Sequence, residues 1–177
     1  SQYNYLPGDL PTATNYWSGS AIGNGDGLIS QGTNEEFRVW DHLNLAGLLE
    51  QGYTGVAGGG GASDSTPGTN VPKGRLENSG FSFYYADMTA TTKVYTATLG
   101  NMLAFGGTVA ASEPTTAILA PEDAYSIDMK MDDGLPGSGK WIANGTGGGN
   151  FGTTTACTTA TSGTDYTGAY RVDNTAV

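Results

Sequence analysis

The stretch Asn24-Gly25-Asp26-Gly27-Leu28-Ile29-Ser30 places oxygen-bearing side chains at alternate positions, supplies a glycine for a sharp turn, and then a hydrophobic residue. That is the pattern of the middle of a calcium loop. In an EF-hand register the first and last ligands fall on Ile22 and Thr33, where carboxylates are needed. Asn24 and Asp26 are therefore candidate ligands of a weak calcium site at best, with Glu35 or Glu36 the residues that can fold back to help. The competing reading is a plain Asn/Asp/Gly turn. No tight site and no other cofactor is expected, and calorimetry showing sub-micromolar calcium binding would overturn that.

Three further patterns invite chemistry. Gly134 to Lys140 has the spacing of a phosphate-binding loop up to its lysine, but Trp141 stands where Ser or Thr would hold magnesium. Asp132 and Asp133 lie just upstream and would repel a triphosphate, so the segment reads as a turn. Asp128 and Asp132 are one helical turn apart with Asp133 adjacent. Such like charges at a helix C-terminus call for counter-ions, for which Lys130, Lys140 and Arg171 are available, and a bridging cation is a minor alternative. Asn144-Gly145-Thr146 is a formal glycosylation sequon of poor specificity.

His42 and Cys157 each occur once, so no disulfide closes within the chain and no cysteine-based zinc site exists. His42, beside Asp41 in an expected helix, reads as a surface or interface residue. With so little nucleophile and base stock, no catalytic residue is assigned and the composition leans against an enzyme.

The elements that must carry these residues follow from composition and periodicity. The 177 residues hold 7 Lys+Arg against 17 Asp+Glu, for a net charge of −10. Such a surface has little to offer a phosphate backbone, so nucleic acid is excluded as a partner. No run approaches about 18 apolar residues, so no membrane span is expected, and no leader pattern opens the chain. The 29 Gly and 7 Pro argue against a helical bundle. Thr33 and Glu36 have capping-box spacing, and Phe37, Trp40, Leu43, Gly47 and Leu48 recur at helical intervals, predicting a helix over 34–51 capped by Gly52. Pro121, with Glu122 and Asp123 behind it, predicts a second helix whose shared face is Ala124, Ile127 and Met131 and which Gly134 stops. Strands are expected over 81–85, 93–99, 101–105 and 166–172, with a tight turn at Gly100-Asn101 and a long loop over 55–80. The expected fold is a single α+β domain over 1–177: a small antiparallel sheet, two short helices and long Gly/Thr-rich loops.

Three blocks taken together resemble the head of bacterial type IV pilins and type II secretion pseudopilins. They are Tyr3-Asn4-Tyr5-Leu6-Pro7-Gly8-Asp9-Leu10-Pro11 with Ala13-Thr14, then Gly23 to Gly27 with Trp40-Asp41-His42-Leu43, Ala46-Gly47-Leu48 and Tyr53-Thr54-Gly55, and lastly Pro121 to Tyr125 with Ile127 to Gly134 and Pro136 to Lys140. The resemblance implies a pilin-like head acting as a non-enzymatic structural subunit of an extracellular or cell-surface filament, with other copies of itself as partners. The hydrophobic N-terminal helix of that family is not in this sequence, nor is the C-terminal cysteine pair of many pilins. A few hundred Å² of sheet left uncovered would cost on the order of 5–10 kcal/mol, comparable with the stability of a whole domain. Helix residues therefore precede Ser1 in a longer chain, or a separate chain supplies the helix, or the head closes its core in another way. The alternative reading is a secreted adhesin or carbohydrate-binding module using Tyr16, Trp17, Tyr84 and Tyr85.

Overall fold

A computed structural model describes residues 3–87, 95, 98–143, 157–160 and 165–173. The order of elements is a 3-10 turn at Ala13–Asn15, helix α1 at Glu35–Leu45, strands β1 (Ser79–Asp87) and β2 (Thr98–Gly107), and helix α2 at Pro121–Met131. The two strands pair as one small antiparallel sheet, so the fold is α+β. Two compact units emerge: Ser1–Ala86 with Leu99–Pro114, and Asp87–Thr98 with Thr115–Val177.

In the first unit, α1 forms where the apolar spacing requires it. Phe37, Val39 and Trp40 are buried with Ile29 and Val71, and Leu43, Tyr53, Phe81 and Phe83 pack around them. The helix is shorter than 34–51 because Gly47, at φ +74°, ends it first. Gly47 N–H donates to the Asn44 carbonyl and Leu48 N–H to that of Leu43, a left-handed cap closing the last turn. Leu48, expected on the buried face, is outside the helix and 72% exposed. The capping box does not form either. Asn34 takes the cap position at φ 68° with its Oδ1 accepting Ala57 N–H, and Glu36 Oε1 accepts Gly32 N–H at 2.6 Å.

β1 has no exposed residue before Asp87. Phe81 meets Phe105 of β2 at 4.9 Å between ring centres. Gly100 and Asn101 do not turn the chain; they lie inside β2, with Gly100 at φ +73°. The expected strand over 93–99 lies largely outside the described residues. The 55–80 segment is pinned by buried Asn70, whose Nδ2 donates to the carbonyls of Val56 and Asp64 while its Oδ1 accepts Thr66 N–H.

In the second unit, α2 begins at Pro121 as expected. Its fully buried side chain is Asp128, however, whereas Met131 is 66% exposed. Tyr170 pairs with Thr158 in an isolated antiparallel bridge rather than in a strand over 166–172. The sequon at Asn144 lies outside the described residues. No helix among them is long and apolar enough to cross a membrane.

Candidate functional site

The loop carrying Asn24 and Asp26 is organised around a carboxylate that the sequence reading did not single out. Asp9 is fully buried. Its Oδ1 accepts Gly25 N–H at 2.6 Å and Asp26 N–H at 3.2 Å, and its Oδ2 accepts Gly27 N–H at 2.9 Å. Buried Glu35 completes the frame, Oε1 accepting Asn24 N–H and Oε2 accepting Ser30 N–H. Consecutive peptide donors therefore converge on anionic oxygens, the opposite polarity to a loop whose oxygens converge on a cation. The side chains of Asn24 and Asp26 are exposed and turned to each other: Asn24 Nδ2 donates to Asp26 Oδ2, and Asn24 Oδ1 accepts Asp26 N–H. Alternating Asx and Gly was legible as a turn; the anion at its centre, sixteen to eighteen residues earlier in the chain, was not.

Gly8, next to Asp9, ties the 5–10 segment to α1. Gly8, at φ +88°, runs so close to the helix that a Cβ there would sit 2.6 Å from the Glu35 carbonyl. Its N–H donates to Nδ1 of His42 at 3.0 Å, and His42 Nε2 lies 2.9 Å from the Ala21 carbonyl. His42 is 1% exposed, which corrects its expected place on the surface. Burial pushes its pKa below the ordinary histidine value, as does Arg38, against the opposing pull of the Ala21 carbonyl and Asp41.

Beside this clamp lies an apolar groove of about 90 Å³, whose walls include Tyr5, Leu6, Leu10, Trp17, Leu43 and Leu48. His42 also lines it, its ring 5.5 Å from that of Trp17 and tilted by 40° to it. The volume is well short of the several hundred Å³ that a small-molecule ligand occupies. It suits a few apolar side chains of a larger partner. Of the aromatics expected to be available for stacking on sugar, Tyr16 is exposed and Trp17 half-buried, but Tyr84 is 2% exposed and belongs to the core.

Buried Glu36 is another titratable group set apart by its surroundings. Its Oε2 has no hydrogen-bond partner. Burial raises its pKa to about 7, with Glu113 and Glu35 adding to the rise and the Gly32 N–H opposing it.

In the second unit, Asp128, Asp132 and Asp133 each bring one carboxylate oxygen within 4.8 Å of the others. These are the residues that could hold a hard cation such as calcium. Each of them already accepts two hydrogen bonds. Asp128 accepts Gly134 N–H (3.1 Å) and the Tyr170 hydroxyl (2.8 Å), Asp132 the N–H groups of Lys140 and Trp141, and Asp133 Leu135 N–H and the Ser138 hydroxyl. The segment with phosphate-loop spacing is thus a turn folded onto acids, and backbone amides and hydroxyls meet the carboxylates. Burial and the Asp128 contact push the Tyr170 phenol far above its usual range. Burial also raises the Cys157 thiol, which makes it a poorer nucleophile.

Comparison with protein-family models, with curated proteins and with solved structures finds no match to this chain.

Proposed function

We propose that this chain is a structural, non-enzymatic subunit of an extracellular type IV pilus-like or pseudopilin filament, its partners being other copies of itself. The observation that carries the reading is the apolar groove beside α1. Tyr5, Leu6 and Leu48 are exposed around it, and the polar groups of His42 are turned away into backbone bonds. A surface of that kind gains free energy by burying an apolar helix and offers little to a sugar or a charged substrate. The occupant in this reading is a hydrophobic helix of the filament core, contributed by a longer form of the chain or by a separate chain. Calcium at Asn24 and Asp26 plays no part in it, and neither does catalysis.

Electron microscopy of the protein purified from its native surface tests the proposal. Filaments containing the chain are the expected result. Monodisperse protein that binds glycans on an array would overturn it in favour of a secreted adhesin or carbohydrate-binding module.

A further inference from the structure

His42 occupies a place that admits one charge state. Gly8 N–H points at Nδ1, so that nitrogen must present a lone pair, and the ring proton then sits on Nε2 and is donated to the Ala21 carbonyl. An imidazolium carries N–H on both nitrogens and would set Nδ1–H against Gly8 N–H, two donors with no acceptor in a buried position. The bond must open, and Gly8 lies between the groove-lining residues Pro7 and Leu10.

The neighbouring charges do not replace the lost bond. On α1, Asp41 favours the imidazolium and Arg38 opposes it. From the N-terminal segment, Asp9 adjoins Gly8, but its oxygens are taken by Gly25, Asp26 and Gly27 N–H. The other titratable residues of the groove are the phenols of Tyr3 and Tyr5.

We propose that His42 is a proton-sensitive fastener of the groove: neutral, it clamps Gly8 and Ala21 to α1; protonated, it releases the 7–10 wall and the groove gives up its apolar occupant. What occupies the groove rests on the filament reading above; the fastening itself does not. The sign follows from the lowered folded-state pKa. The fastening is fully present above the ordinary histidine value of 6.5 and is lost as pH falls through the lower folded-state value.

The test is amide hydrogen exchange at Gly8, followed by NMR on the whole chain together with the His42 ring signals, in wild type and in His42→Asn. An asparagine amide oxygen can still accept Gly8 N–H but does not titrate. The expected result is Gly8 protection falling about tenfold per pH unit from the ordinary histidine value of 6.5 down to the His42 titration point in wild type, and no such fall in the variant. Protection that stays constant while the His42 ring titrates overturns the proposal, as does an equal loss in His42→Asn. Should that variant not fold, the two wild-type titrations decide alone. A Leu-rich helical peptide serves as the groove probe at pH 7.5 and at a pH below the His42 titration point. Weaker binding at the acidic pH is expected, and equal affinity at both overturns the fastener. Absence of binding at both pH values overturns the filament reading, and the Gly8 measurement then decides the fastener.

Discussion

The two units of this chain each bury an aspartate, and they put it to different use. Asp9 in the first unit draws in three successive peptide N–H groups from sixteen to eighteen residues along the chain, beside an apolar core of Ile29, Phe37, Val39, Trp40 and Val71. Asp128 in the second gathers Gly134, only six residues on, and among the described residues reaches further through the Tyr170 hydroxyl. The other buried side chains described in that unit include the phenols of Tyr95 and Tyr170 and the hydroxyl of Thr158. The contrast shows what a buried carboxylate can replace. In the first unit it fixes how a loop meets an existing core. In the second, together with Asp132 and Asp133, it folds the turn that follows its own helix.

The largest expected effect comes from Asp9→Ala. It leaves three N–H groups without their charged acceptor and should destabilise the first unit by about 3–5 kcal/mol in urea unfolding. Gly8→Ala places a Cβ against the Glu35 carbonyl at a positive φ, at a cost of about 2–4 kcal/mol by the same measurement. Asp128→Ala, with one N–H and one hydroxyl to lose, should cost about 2–3 kcal/mol. A cost for Asp128→Ala above that for Asp9→Ala would break the comparison. Glu36→Gln sharpens it within the first unit. A carboxyl raised to about 7 on folding stabilises fully below its ordinary pKa of 4.5 and loses that contribution as pH rises through 7. The variant should therefore gain about 1–3 kcal/mol relative to wild type at pH 8, the gain shrinking towards pH 4. The smallest effect on stability belongs to Leu48→Ser, within about 0.5 kcal/mol, because Leu48 is exposed. Under the filament reading the same change should abolish assembly seen by electron microscopy, which separates the groove's role from the fold's.

Much of the fold was legible where the signal is local. Phe37, Trp40 and Leu43 declared one face of α1, and Pro121 marked the start of α2. The end of α1 was misplaced because two glycines competed for it, and Gly47 made the left-handed cap five residues before Gly52. Gly100-Asn101 reads as a turn by propensity. In the folded chain, Asn101 is held in β2 by distant partners, its Oδ1 accepting Ile29 N–H and its Nδ2 donating to the Gly27 carbonyl. Met131 was placed on the buried face of α2 by periodicity and lost that place to Asp128, whose hydrogen bonds offset the cost of its burial.

By itself, the sequence determined the acidic balance, the α+β character, the position of both helices and the turns at Asx-Gly pairs, because each depends on the chemistry of neighbouring residues. Tertiary structure decided which acids were buried, whether the 24–30 loop faced an anion or a cation, and which nitrogen of His42 kept its proton. Those outcomes rest on pairings such as Asp9 with Gly25 and Gly8 with His42, thirty-four residues apart in the second case. A hydrogen bond between such distant residues has no signature in local composition. It exists only once burial has removed the water that would otherwise satisfy both groups.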